Sequence, residues 1–174
     1  MESNPFSIQK DSGNVGSTLP NCEWFISADK IFGDDVEGLK DFTRFFKMEF
    51  CISRFSLFDG KKSTDSAVLA QDVKIHLPSG KHCAMIQSRL AKGTEISKIT
   101  IMKTTSLTGK ILTLEEKTFS KCVIQSFSYV GEVVSFSFRY SSYSDSYTDY
   151  NEDTSKKGTA ASQIDLIKWE IKDS

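Results

Sequence analysis

The chain has 174 residues, with 22 Lys and Arg against 23 Asp and Glu, a formal net charge of -1. It therefore lacks the global positive field that draws proteins onto nucleic acid or anionic lipid. An apolar share of 39%, with 13 Phe, 5 Tyr and 2 Trp, is enough for one packed domain and excludes a chain disordered throughout.

Residues 1–21 mix Ser, Asn, Gly and Pro without a sustained period and read as a flexible N-terminal arm. They lack the basic start and apolar run of a secretory signal, and no later window holds enough consecutive apolar residues for a membrane-spanning helix. The expected location is cytoplasmic, with no membrane insertion. Residues 22–174 form the expected single folded domain. Within it EWFISADKI reads as a first strand, closed by a turn carrying Gly33, Asp34, Asp35 and Gly38. The alternation of Met48, Phe50 and Ile52 with Glu49, Cys51 and Ser53 predicts a strand from about Lys47. The hydrophilic run DGKKSTDSA, too long for a tight hairpin, predicts a projecting loop.

Val73, Ile75 and Leu77 alternate with Lys74 and His76, the pattern of a strand with one wet face, stopped by Pro78. Ser79 then suits the cap of a helix through HCAMIQSRLA, with Met85, Ile86 and Leu90 on its apolar side and Gly93 just past its end. Beyond Gly93 the texture is β throughout. EISKITIMKT, a turn at Thr108-Gly109-Lys110, KILTLEEKTF, KCVIQSFSYV and EVVSFSFRY read as successive strands. In the last of these Val134, Phe136, Phe138 and Tyr140 share one face. Residues 141–162 are polar, rich in Ser and Asp, and read as a long mobile loop, with IDLIKWEI as a closing strand. The fold class is mainly β: a small antiparallel β-barrel or sandwich with one α-helix packed on it.

Chemistry is sparse. Neither G-x-x-x-x-G-K-[ST], G-x-G-x-x-G nor G-x-S-x-G occurs, and no cofactor is implied. Cys22, Cys51, Cys83 and Cys122 show no metal or disulfide spacing and read as scattered thiols of a reducing compartment. His76 and His82 read as ordinary surface histidines, without catalytic or metal roles. The pairs Asp34-Asp35, Glu115-Glu116 and Glu152-Asp153 read as solvated acids. Tyr140, Tyr143, Tyr147 and Tyr150 have acidic neighbours, which disfavours nucleic acid and leaves aromatic anchors at a protein interface as their functional version. An enzyme is not expected.

The order and spacing of these segments resemble the Hcp family, the tube-forming proteins of bacterial type VI secretion systems. WFISADKIFGDD is similar to the family's opening strand and Gly-acidic turn, and KMEFCISRFSLF with DGKKSTDSA to its strand and extended loop. VKIHLPSGKHCAMIQSRLAKG is similar to its strand, break and helix, although Leu77-Pro78-Ser79-Gly80 replaces the family's Asp-x-x-Ser-Pro. The later strands and WEI at Trp169 are similar to its closing segments, so the likeness spans about Cys22 to Ile171. The resemblance implies a structural subunit forming homohexameric rings that stack into a tube. Its implied partners are a spike-tip protein, a contractile sheath and small effectors in the lumen, with export that needs no cleavable signal. It also implies a ring-stacking loop at Asp59, Gly60, Lys61, Lys62, Ser63, Thr64 and Asp65, and lumen-facing positions at Ser53 and Arg54. Taken from the residues alone, the rival reading is a monomeric β-barrel that binds a small apolar ligand.

Overall fold

Alternating burial along the strands dictates the architecture. The computed structural model describes residues 22–33, 39–59, 62–107 and 109–166, with the side chains of 54–68 left aside. The predicted arm of residues 1–21, the acidic pair at 34–35 and the closing Trp169 lie outside the described residues. The elements are β1 (Cys22–Ala28), β2 (Thr43–Arg44), β3 (Lys47–Glu49), β4 (Ile52–Asp59), β5 (Lys62–Ala70), β6 (Val73–Pro78), α1 (His82–Lys92), β7 (Ile96–Leu107), β8 (Lys110–Val130), β9 (Val133–Arg139), β10 (Ser142–Tyr150) and β11 (Lys156–Asp165).

Nine of the strands form one antiparallel sheet, unclosed, and β4 and β5 form a separate pair. Strand β8 joins the two wings of the large sheet. Its first part pairs with β7 and β10, and from Val123 onward it pairs with β9. One wing therefore runs β2–β1–β7–β8–β10–β11 and the other β8–β9–β6–β3. The sequence divides this stretch into two strands; the structure makes it one strand of 21 residues. Lys121 takes a positive φ of 51° just before the change of partner, a local irregularity that redirects a strand without ending it.

The wings enclose one core. Ile26, Ile99, Ile101 and Phe119 from the first meet Val73, Ile75, Leu77, Val134, Phe136 and Phe138 from the second. The predicted one-sided face of β9 is buried as expected, as is that of β6. Phe119 is the hub, with ring centroids 5.3 Å from Phe138, 4.9 Å from Tyr140, 5.2 Å from Tyr143 and 5.5 Å from Phe50. Each fully buried Phe contributes about 1.5 to 3 kcal/mol of burial free energy.

Several expectations are corrected. The supposed mobile loop at 141–162 is the paired hairpin of β10 and β11, with Tyr143 buried beside Phe119. Its polar composition belongs to strands whose other side chains face water and whose backbone groups are satisfied by pairing. DGKKSTDSA is no loop either: Asp59 pairs with Lys62, and Lys62 to Ala67 belong to β5. The strand expected from Lys47 is broken at Phe50 and Cys51 between β3 and β4.

Helix α1 begins after Lys81, which has no side-chain cap bond, so Ser79 is not its cap; Gly93 ends it in the left-handed region at φ 60° as expected. Its buried side chains are His82, Cys83 and Ile86, while Met85 is exposed. His82 is not a surface residue. Its Nε2 lies 2.9 Å from the Pro78 carbonyl and its ring packs on Phe32.

Candidate functional site

Of the residues expected to stack rings, those described lie on one two-stranded ribbon. β4 and β5 pair from Ile52 with Ala70 to Asp59 with Lys62, and their backbones make few contacts with any other element. Asp59 ends β4, and Lys62, Ser63, Thr64 and Asp65 open β5. Thr64 is the extra residue of a bulge, because Leu57 pairs with Asp65 and Phe58 with Ser63. Gly60 and Lys61 lie outside the described residues. Ser53 is exposed and pairs with Leu69, while Arg54 pairs with Val68. Both predicted lumen positions thus belong to the ribbon and not to the large sheet.

The β8–β9–β6–β3 wing offers a second set of candidate surfaces. All its pairings are antiparallel, and both of its borders are open among the described strands. β3 pairs only with β6, and β8 beyond Cys122 pairs only with β9, with α1 lying against β8 and Gln87 Nε2 donating to Tyr129 Oη at 3.4 Å. Large apolar side chains stand exposed at each border. Phe46, just before β3, is 60% exposed; Tyr129 and Val130, at the end of β8, are 52% and 72% exposed. Sequence reasoning missed these three. Nothing in a strand's alternation tells a border from an interior position.

The outward face of this wing is polar. Ser126 Oγ lies 2.7 Å from Ser137 Oγ, and Ser135 Oγ lies 2.7 Å from His76 Nδ1. His76 Nε2 is 3.0 Å from Glu49 Oε1, which also accepts a bond from Lys47 at 2.9 Å. The hydrogen bonds from Lys47 and then His76 hold the Glu49 carboxyl below the ordinary carboxylate range. Ser135, His76 and Glu49 stand in the order of a hydrolytic triad. Ser135, however, is buried in a strand paired on both sides, with His76 and with Ser128. Backbone N–H groups used in the ladder cannot also receive an oxyanion, so the row reads as cross-strand bonding.

Burial takes two of the four thiols out of reach. Cys122 is fully buried and burial pushes its thiol up to about 12, the opposite of a poised nucleophile. Cys83 is buried, Cys22 half-buried and Cys51 exposed, all as free thiols. Among the described residues no group of three or more His, Cys, Asp or Glu is arranged to hold a metal ion, and no helix is long and apolar enough to cross a membrane.

The expected tyrosine surface is not one surface. Tyr140 and Tyr143 are buried and only Tyr147 stands well exposed. A cleft of about 740 Å³ lies where the ribbon leaves the sheet, lined by Met48, Phe50, Cys51, Asp72, Lys74 and Arg139 among others. Its charged rim, with Arg139 Nε 3.1 Å from Asp72 Oδ1, does not suit a small apolar ligand.

No protein-family model matches the sequence, and no curated protein is similar to it in sequence. Solved structures are similar in shape. A type six secretion system protein superimposes with a TM-score of 0.73 at 11% identity, covering 84% of this chain and 97% of the other. Hcp1 from Salmonella typhimurium gives 0.65 at 14% identity, over 84% of this chain and 96% of that one. A type VI secretion system effector from Yersinia pestis gives 0.63 at 15% identity, over 82% and 98%. The strand order, the single helix and the coverage of nearly the whole of each neighbour agree with the resemblance read from the sequence: this chain has the fold of the Hcp proteins of type VI secretion.

Proposed function

We propose that the chain is a structural subunit of a type VI secretion tube, assembling with itself into rings that stack around a lumen and carry small effector proteins. The observation that carries this reading is the four-stranded antiparallel wing whose two border strands, among the described residues, each lack a strand partner on one side, with α1 lying against part of β8. In such a sheet an even number of strands leaves the border strands running in opposite directions. The β3 border of one copy therefore meets the β8 border of the next with the antiparallel alternation unbroken. Head-to-tail pairing of this kind closes into a ring when the rotation per subunit allows it, and it covers exposed strand borders that otherwise invite aggregation. Phe46 on one side and Tyr129 with Val130 on the other supply the apolar cover at the joint.

The likeness of fold to the Hcp proteins supports a homohexameric ring, and the β4–β5 ribbon is the part best shaped to reach a neighbouring ring. On this reading the ribbon, with Asp59, Lys62, Ser63, Thr64 and Asp65 toward its tip, makes the ring-to-ring contact. The spike-tip protein and contractile sheath are the external partners, and the protein leaves the cell through the system it helps to build. The face formed by His76 of β6, the serines of β9 and Ser126 of β8 suits a wet wall past which cargo slides, because polar groups already bonded across the strands offer little adhesion.

The test is negative-stain microscopy with sedimentation of the purified protein and of V130K. Wild type is expected to form rings. V130K, with a charge in the joint, is expected to keep its far-ultraviolet spectrum and to lose ring assembly at least tenfold in the concentration required, a change of about 1.4 kcal/mol. A wild-type protein that stays a single subunit at high concentration overturns the reading.

A further inference from the structure

An apolar patch lies on the side of the longer wing that is turned away from the core. In β1, Trp24, Ile26 and Ala28 turn to the core, so Phe25 between them points to the opposite face. In β7, Ile99 and Ile101 turn to the core, so Thr100 and Met102 share that opposite face. Phe25 pairs directly with Met102. A sheet face turned away from the core is ordinarily polar and wet, yet Phe25 is 1% exposed and Thr100 and Met102 are each 8% exposed.

Side neighbours do not account for this burial. Arg44, the partner of Phe25 in β2, holds its guanidinium 5.8 Å from the ring centroid and is itself exposed, bonded to Glu23 at 2.7 Å. Glu116, across from Met102, is exposed, and Thr113 Oγ1 lies 3.9 Å from Met102 Sδ. These groups border the patch, whereas near-complete burial of a phenyl ring takes a second layer. Among the described elements none supplies it. β1 and β7 make their main contacts with their sheet neighbours, and α1 sends Cys83 and Ile86 into the core on the other side.

We infer that residues 1–21 lie back across this face and cover Phe25 and Met102 with apolar side chains drawn from Phe6, Ile8, Val15 and Leu19. The segment joins β1 at Cys22, three positions from Phe25. Pro20 and Asn21, immediately before the strand, favour a reversal of the chain. About ten extended residues span roughly 33 Å, more than the width of β2, β1 and β7 together. Two other segments are worse placed. Residues 34–38 are tied at both ends and follow Ile31 and Phe32, which pack in the core. The chain beyond Leu166 leaves from a residue that packs on the core, hence from the other side of the sheet. The inference goes beyond the proposed tube: the patch belongs to a different wing from the ring joint, and its cover makes residues 1–21 a strap of the folded subunit.

The test is oxidation of methionines by dilute hydrogen peroxide in the full chain, read by peptide mass spectrometry. Met85, 41% exposed, is the internal reference. In wild type Met102 is expected to react at least about tenfold more slowly than Met85. F6S/I8S/V15S/L19S is expected to bring Met102 to within about threefold of Met85, and I167S/W169S/I171S to leave it protected. Cys122, in the core, is expected to stay closed to thiol reagents in every variant. Met102 that stays protected in the first variant overturns the inference, as does protection lost in the second, or Cys122 opening together with Met102. Protection that V130K or dilution removes assigns the cover to another copy and overturns it as well. Absence of rings from wild type with Met102 still protected by residues 1–21 counts against the tube alone.

Discussion

Lys117 lies in the middle of β8 and is buried, yet it keeps its charge. Its Nζ donates to Asp145 Oδ2 at 2.7 Å and to Tyr143 Oη at 3.4 Å, and it is bonded to Glu115. Burial alone would lower its pKa; the hydrogen bonds to Asp145 and Glu115 outweigh that and raise it above the ordinary lysine range. Tyr143 completes the cluster by donating to Asp145 Oδ2 at 2.7 Å. Because Lys117 pairs across the strand with Asp145, the cluster also fixes the register of β10 on β8. K117M leaves two partly buried carboxylates without their cation and is expected to cost about 3 kcal/mol, seen as a lowered denaturation midpoint. K117M/E115Q/D145N should regain part of the loss. Equal stability of K117M and wild type would show the cluster to be dispensable.

The tyrosines give a residue-scale test with alkali. Burial pushes both Tyr140 and Tyr143 up to about 12, whereas a tyrosine in the unfolded chain ionises near 10. The unfolded state therefore releases these protons first as pH rises, and folding stability is expected to fall between pH 10 and 12. Lys117 acts in the same direction, since a raised lysine stabilises below its unfolded pKa and loses that contribution as pH climbs through its folded value. Ultraviolet titration of the phenolate band should show a late component that Y140F and Y143F each reduce. A phenolate band that Y140F and Y143F diminish only near pH 10 would contradict the burial.

At the scale of elements, legibility in the sequence followed burial. β6 and β9 were readable because Val73, Ile75, Leu77, Val134, Phe136 and Phe138 face one shared core, so their alternation is strict. α1 was readable for its extent and its terminal Gly93. Its buried face was not, because the neighbours that accept His82 in place of Met85, the Pro78 carbonyl and Phe32, are not periodic features. β10 and β11 resemble a loop in sequence because a ribbon wet on most positions carries little apolar alternation. Its stability comes from backbone pairing and from Tyr143 reaching Phe119 and Phe50.

The β4–β5 ribbon gives the clearest prediction at this scale. Ile52 and Ala70 pack on the core at its base, and the rest of its backbone pairs within itself. Replacing residues 53–69 by a short Gly-Ser linker is therefore expected to leave the unfolding free energy within about 1 kcal/mol of wild type. The same change should abolish stacking while leaving single rings visible by microscopy. Tubes of normal length from that variant would remove the ribbon from the stacking contact.

For the molecule as a whole, the order of segments was enough to suggest the fold. Strand, turn, strand, projecting segment, strand, helix and a run of strands is a sequence of local choices set by periodicity, turn residues and a glycine past a helix end, and those are written in neighbouring positions. The borders were decided by the tertiary structure. That β8 serves both wings, that β3 and the end of β8 lack a strand partner on opposite sides of one sheet, and that β11 closes the other wing depend on which strands meet across distances of up to 83 positions, as Cys22 and Thr105 do. A strand's own pattern records which side chains face the core but not which neighbour takes its backbone bonds. Composition and alternation by themselves determined a mainly β domain with one helix; only the folded chain decided where its sheet is left unfinished, because an open border is a property of the missing partner and not of the residues that form it.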